Sequence, residues 1–544
     1  MRGRFGNNLF KIFITVFPLL TVALIAILTY QDILGCFFTG MDAISLIDTC
    51  RINSFSDIFR IFTEPGLNAI PDALNFHRWY RPISVLSYSM DYYMWKLDPF
   101  GYHLTDLILH CLVSVLVFMI VKFLANGRQT IAWLGAIIFT THPLLVETVP
   151  ANVRRMDILS TLFVLLSILS FFKYYSMKSR GRIYYLFSVL FYLIAIGAKE
   201  IAIILPPLVF SYVMISYFLD NKSIRAGLVQ SLSKCSPYLI VTLIYFSMRI
   251  YVLGGIGGYA ERPHGILEIS KVLIEILSRY FIVLIYPVDF LKFGTSVSSL
   301  SPVAVQIFVI LVFGLAFIRG SYHSEKIVKY FVEINHLKAA AFLLIWLFLP
   351  LCVYMATLIS GRYYLYISTI PFSALLSILL IESYISLVQK IRKGGFGTIH
   401  GKLSSVRVSA IIFTSTFVIS GSLLLYSPLI KTYGEWKDSG EISDLLFGRI
   451  AETLPTLPDN ADIYIYDFPD GIASYGNKIP YAKEVEYPAG YSIKSWLDLN
   501  FPNNSTKKIV IKSKKTIMAY RDKLSLTVTN DYYKDNIVMF TVEF

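Results

Sequence analysis

The chain has 544 residues, 55% of them hydrophobic and only 16% charged, with a formal net charge of +13. Soluble domains carry about 25% charged residues, so one water-soluble core is excluded, and repeated apolar segments of about 20 residues, the length that crosses a bilayer, account for the deficit. The positive charge does not signal nucleic-acid binding, because Lys and Arg sit in short loops between apolar segments, where they set membrane orientation.

Arg2 and Arg4 precede an apolar run from Phe10 to Tyr30. The run is long for a signal peptide and no small-residue cleavage site follows, so it reads as an uncleaved first transmembrane helix. Ten further spans are expected at 104–124, 131–149, 157–174, 183–198, 201–218, 237–253, 302–318, 339–358, 364–387 and 409–427. Basic loops alternate with them: Lys122 and Arg128; Lys173, Lys178, Arg180 and Arg182; Lys222, Arg225 and Lys234; Arg319, Lys326, Lys329 and Lys338; and Lys390 to Arg407. Placing all of these in the cytoplasm gives eleven spans with the N-terminus inside and the tail outside. Segment 268–287 carries Glu268, Lys271, Glu275 and Arg279. Counting it as a span would break that alternation, so it is expected to be interfacial or re-entrant on the outer side.

Two outer regions are large. The first loop, 31–102, holds aromatic-rich helical stretches at 54–62 and 82–96 that are expected along the membrane surface. The tail, 431–544, has strand-like runs at Ala461–Tyr466, Lys508–Ile511, Leu524–Thr529 and Ile537–Val542 and reads as a small α/β or β domain. The expected fold class is therefore a polytopic α-helical membrane domain, 1–430, followed by a soluble extracytoplasmic α/β domain, 431–544. Five cysteines show no zinc spacing. Cys36 and Cys50 flank one outer stretch and read as two thiols or, in an oxidising compartment, a disulfide.

Ionisable residues at membrane depth are functional candidates by default, and here they gather on the outer side. Asp42 follows the first span; His103, Asp106 and His110 share one helix face; His142 and Glu147 end the third span. Arg154, Arg155 and Asp157 open the fourth, Lys199 and Glu200 form an outer turn, and Arg362 and Tyr363 follow the ninth. Each has a bland alternative: an interfacial His at a helix end, or an Arg beside Asp as a structural pair. Carboxylates and cations on one rim suit a substrate with both a phosphate and a hydroxyl, since Arg recognises phosphate bidentately and a carboxylate can take a hydroxyl proton.

Three stretches carry a resemblance: Tyr80-Arg-Pro-Ile-Ser-Val-Leu-Ser-Tyr-Ser-Met-Asp-Tyr-Tyr with Asp98-Pro-Phe-Gly-Tyr-His-Leu-Thr-Asp and His110; His142-Pro-Leu-Leu-Val-Glu-Thr-Val with Arg155-Met-Asp-Ile-Leu-Ser; and Ala198-Lys-Glu with Pro206 and Pro207. Together they resemble the membrane region of the transmembrane-and-TPR O-mannosyltransferases and bacterial relatives, within glycosyltransferase superfamily C. The TPR repeats of that family are absent and the tail stands in their place. The resemblance implies an acidic catalytic base after the first helix, a position that Asp42 matches. Many relatives have a second acid next to it, where this chain has Ala43; that leaves Asp42 alone or assisted by Glu147, and weakens the case for a divalent metal. No other cofactor is implied.

The resulting expectation is an inverting transfer of mannose or another hexose from an undecaprenyl or dolichyl phosphate to a hydroxyl on a protein, lipid or glycan. Asp42 and Glu147 are the catalytic candidates. Arg362, Lys199, Arg155, His103, His142, Asp106 and Tyr363 are the substrate-binding candidates. The alternatives are a flippase or transporter for lipid-linked sugars, which would show polar groups at mid-bilayer and related halves, and an inactive assembly scaffold.

Overall fold

The structure, a computed structural model, describes residues 2–38, 77–177, 181–220, 223–259, 334–357 and 362–392, short pieces within 47–64 and 269–284, and six strands between 462 and 543. Asp42, the expected span 302–318, all of the expected span 409–427 but Thr414, and Glu268 lie outside the described residues.

The helices are α1 (Arg2–Tyr30), α2 (Asp57–Thr63), α3 (Pro82–Trp95), α4 (Pro99–Leu124), α5 (Gln129–Thr140), α6 (Arg155–Met177), α7 (Arg182–Ala198), α8 (Leu205–Leu219), α9 (Ile224–Leu253), α10 (Ile334–Thr357) and α11 (Tyr366–Arg392). Among the described residues seven helical stretches are long and apolar enough to cross a membrane, and the chain is an integral multi-pass membrane protein. Local chemistry sets their ends. Pro82 and Pro99 occupy first-turn positions, where a missing N–H costs nothing, and the Asp98 carboxylate caps α4 by accepting from the Phe100 N–H at 3.0 Å. Inside α9, Pro237 cannot donate to the Ser233 carbonyl, and the Ser236 hydroxyl does so instead at 3.0 Å.

The third expected span, 131–149, is corrected. Helix α5 has 12 residues, about 18 Å of rise, well short of a bilayer core of about 30 Å. It stops at Thr140 because Pro143 disfavours helical geometry at His142. The chain then makes two 3-10 turns, Pro143–Glu147 and Asn152–Arg154. Close packing holds this short helix: Gly135 faces Ser377, and a β-carbon there would stand 2.9 Å from the Ser377 hydroxyl. Helix α5 thus lies between α4 and α11.

Segment 268–287 is only partly described. Ile276, Tyr280 and Leu284 are buried in the same core as the long helices. The Tyr280 hydroxyl lies 2.8 Å from Ser368 Oγ and also meets the Leu347 carbonyl. These three described residues pack into the bundle core.

Two-residue strands β1 (His77–Arg78) and β2 (Gly258–Tyr259) pair antiparallel, clipping the first outer loop to the chain after α9. In the tail, β3 (Asp462–Tyr466), β5 (Ile509–Ile511), β7 (Thr527–Lys534) and β8 (Ile537–Glu543) form a mixed sheet in the order β5-β3-β8-β7. Strands β4 (Phe468–Ser474) and β6 (Lys514–Ala519) pair parallel. The four runs expected as strands carry β3, β5, β7 and β8; β4 and β6 were not expected.

Candidate active site

Bonds between distant elements show which helix ends meet. The C-terminal ends of α1, α5, α7, α9 and α10 and the N-terminal ends of α4, α6, α8 and α11 converge on one rim. All the sequence candidates that the structure describes sit there, in two groups of different character.

The first group is a dense buried network. Arg155 at the start of α6 is fully buried. Its Nε donates to Asp106 Oδ1 at 2.5 Å, its Nη1 meets Asp91 Oδ2 at 2.5 Å, and its Nη2 donates to the Tyr102 carbonyl at 2.9 Å. The Tyr88 ring lies 4.6 Å from the guanidinium carbon. Asn152 donates from Nδ2 to Asp106 Oδ2 at 3.0 Å and to His103 Nδ1 at 3.2 Å. Because that nitrogen accepts, His103 carries its proton on Nε2, which donates to the Phe37 carbonyl at 3.1 Å. Asp91 accepts from Thr105 at 2.8 Å. Burial holds its carboxyl above the usual carboxylate range, opposed by the Arg155 charge. Arg155, Asp106 and His103 are therefore brought together, but as a staple joining α3, α4, α6 and the segment after α1. Arg155 thus spends its Nε, Nη1 and one Nη2 donor on Asp106, Asp91 and the Tyr102 carbonyl, and its guanidinium is held between neighbouring elements.

His142 is also spoken for: Nδ1 accepts from the Leu144 N–H at 3.2 Å and Nε2 donates to the Leu284 carbonyl at 3.1 Å. His110, one turn deeper than Asp106, meets the Tyr366 hydroxyl at 2.8 Å. Each ring therefore bridges two elements of the bundle.

The second group is a corner of cations and aromatic rings. Lys199, in the break between α7 and the 3-10 turn Glu200–Ile204, bonds Asp157 Oδ1 at 2.6 Å. The Tyr364 and Tyr363 rings lie 4.6 and 5.7 Å from its ammonium, close enough for cation–π attraction. Burial pushes the Lys199 ammonium down to about 8, against the pull of Asp157 and with help from Arg81 and Arg154. The Arg154 guanidinium stacks on Tyr363 at 3.3 Å. Tyr363 follows Arg362 on the 3-10 turn Arg362–Leu365, which packs against the turn bearing Glu147. The Arg362 and Glu147 side chains lie outside the described residues. Asp157 pairs with Lys199, not with the neighbouring Arg154 that its spacing suggests.

Below this corner, Glu200 is clamped from two sides. Arg81 donates Nε and Nη2 to Oε2 at 3.0 and 2.8 Å, and Arg249 meets Oε1. Arg249 also donates from Nε to the Ile256 carbonyl at 2.6 Å, and Tyr245 donates to the Tyr80 carbonyl at 2.7 Å. Sequence reasoning assigned no role to Arg81, Asn152, Asp91 or Arg249. Arg249 did carry a signal, a lone cation inside the apolar stretch 237–253; the others have partners too distant in sequence to show a spacing.

Cys36 and Cys50 are buried free thiols. Among the described residues no three of His, Cys, Asp and Glu converge as a metal-holding group.

No family model matches the chain. It is 27% identical over 142 residues to the protein O-mannosyl-transferase TMTC3 of Homo sapiens, covering 26% of this chain and 15% of that protein. It is 33% identical over 127 residues to Tmtc1 of Drosophila melanogaster (23% and 14%), and 37% identical over 103 residues to tmtc2 of Xenopus laevis (19% and 12%), both also named protein O-mannosyl-transferases. The matches thus span about a seventh of these relatives. Among solved structures, the Archaeoglobus fulgidus oligosaccharyltransferase tethered to an acceptor peptide aligns over 92% of this chain and 64% of its own, at TM-score 0.45 and 11% identity. ArnT from Cupriavidus metallidurans, bound to undecaprenyl phosphate, aligns over 91% and 90%, at TM-score 0.41 and 12% identity. Part of this multi-pass membrane chain is similar to the protein O-mannosyl-transferases, the family its motifs resemble.

Proposed function

We propose that the chain is a membrane glycosyltransferase that moves a hexose, mannose foremost, from a polyprenyl-phosphate donor to a hydroxyl acceptor. The observation that carries this reading is the rim corner of Lys199, Arg154, Tyr363 and Tyr364 in a chain similar to protein O-mannosyl-transferases. A cationic corner among aromatic rings suits a phosphodiester that gains negative charge as it leaves. Pre-placed cations stabilise that charge most where water is scarce.

The reaction is a single displacement. The acceptor oxygen attacks C1 from the face opposite the phosphate, its proton passes to the Asp42 carboxylate, and the C1–O bond to phosphate breaks with inversion. Lys199 and Arg154 face the departing phosphate, Arg362 beside Tyr363 joins them, and Glu147 assists Asp42. His103 serves the base at one remove: its bond to Phe37 ties down the backbone shortly before Asp42. The rim faces the extracytoplasmic side, with the N-terminus cytoplasmic, the membrane domain 1–430 holding the donor's lipid tail, and the tail domain 431–544 beside the acceptor.

The test uses purified full-length chain in vesicles with polyprenyl-phosphate mannose, glucose or galactose, reading released polyprenyl phosphate together with glycosylated acceptor. General-base catalysis contributes about 10²–10⁴-fold. Asp42→Asn is therefore expected to lose at least about 100-fold in transfer while inserting and eluting as wild type. Near-normal transfer by that variant removes Asp42 from the mechanism.

A further inference from the structure

We propose that Asp157 and Lys199 form a sugar-phosphate subsite in which Asp157 Oδ2 accepts a hydrogen bond from one hydroxyl of the transferred hexose while Lys199 faces the phosphate. This rests on the glycosyltransferase reading above and adds to it the group that selects the donor sugar.

The rim carboxylates differ in how far they are satisfied. Asp106 has Arg155 on Oδ1 and Asn152 on Oδ2; Asp91 has Thr105 and Arg155; Glu200 has Arg81 on one oxygen and Arg249 on the other. Asp157 has Lys199 on Oδ1 at 2.6 Å, and among the described residues no donor reaches its buried Oδ2. Both side chains of this pair are only 5% exposed. A buried ion pair offsets its desolvation only when its remaining lone pairs are hydrogen-bonded, so a purely structural pair would be expected to recruit a donor, as Asp106 recruits Asn152. Ser160, three residues along α6, is committed elsewhere: it donates to the Ala195 carbonyl at 3.1 Å and the Lys199 carbonyl at 3.4 Å.

The surroundings specify the ligand. An ionised carboxylate only accepts, so its partner must be a donor such as a hydroxyl. An ammonium has three donors, of which one goes to Asp157, and the others are directed among the Tyr364 and Tyr363 rings. One hydroxyl acceptor beside one cation, walled by tyrosines, matches a hexose joined to phosphate. Arg154, stacked on Tyr363 at 3.3 Å, adds a second cation to the same ring.

The experiment measures transfer by the intact chain from polyprenyl-phosphate mannose, glucose and galactose, then from monodeoxy analogues of whichever donor turns over. A hydrogen bond to a charged group contributes enough that one deoxy analogue should react about 10–100-fold more slowly in kcat/KM. In Asp157→Asn and Asp157→Ser that one penalty should shrink to under about threefold, while penalties at the other hydroxyls persist, since only interacting partners are non-additive. An unchanged penalty in either folded variant overturns the subsite. A flat wild-type panel, which needs no variant at all, also overturns it, and leaves the glycosyltransferase reading standing. No turnover of any donor overturns that reading itself.

Discussion

Arg155 offers the sharpest test of the division between structural and reacting groups at the rim. The sequence makes it a phosphate ligand; the structure makes it the centre of a buried network with Asp106, Asp91 and the Tyr102 carbonyl. Replacing it by Met keeps much of the volume and removes the charge. Two carboxylates with side chains 0% and 2% exposed are then left without their cation. Breaking one buried pair typically costs about 3–5 kcal/mol, and the second carboxylate adds to it, so Arg155→Met should destabilise by at least about 4 kcal/mol. On the scale of about 2–4 °C per kcal/mol for mid-sized domains, the unfolding midpoint in detergent should fall by roughly 8 °C or more. The assay is temperature-resolved size-exclusion of detergent-purified protein. Because the loss comes from stranded carboxylates, Arg155→Met combined with Asp106→Asn should recover part of it, a non-additivity that only interacting groups show. Wild-type thermal stability in Arg155→Met, with donor binding lost, would falsify the staple and return Arg155 to the substrate.

Lys199 should give transfer an alkaline limit. In the free protein burial brings its ammonium down to about 8, and a phosphate is held by the charged form. The kcat/KM profile should therefore fall as pH rises through about 8, and Lys199→Arg should move that limb well above it. Stability moves the opposite way. Between about 8 and the ordinary lysine value near 10.4 the unfolded chain binds the proton that the fold has lost, so this residue's contribution rises with pH across that window. Glu200→Gln should release both Arg81 and Arg249 and lower stability by about 2 kcal/mol, read as a lower unfolding midpoint and faster proteolysis between residues 77 and 81. Gly101→Ala drives a β-carbon into the Trp95 ring, so the indole must move; a loss of about 1–3 kcal/mol is expected, with changed tryptophan emission.

The bundle was largely legible because membrane helices announce themselves by length and composition, which need no knowledge of partners. What was illegible follows from the same fact. Leu144, Leu145 and Val146 look like a continued span, yet Pro143 ends the helix before them, and a hydropathy window cannot weigh one proline against three apolar neighbours. The face shared by His103, Asp106 and His110 was visible from helical spacing and is real. Its partners were not, since Asn152 comes from a 3-10 turn, Arg155 from the helix after it and Tyr366 from another. Arg81 and Glu200 are 119 residues apart, beyond any local pattern.

Gathering ionisable groups on one rim therefore says less than how completely each is paired. Asp106 and Glu200 have partners on both carboxylate oxygens, and His103 on both ring nitrogens, all from neighbouring elements, and such groups hold geometry. Asp157 keeps a buried oxygen without a donor among the described residues, and Lys199 beside it has its charge weakened by burial. Both conditions cost stability, and a fold that staples everything around them supplies the rigidity to hold them so. An incompletely satisfied pair inside a densely bonded frame is the arrangement expected where the missing partner is a substrate. On that ground the proposed chemistry is assigned to the corner of Lys199, Asp157, Arg154 and Tyr363, with the Arg155 network as its expected mounting.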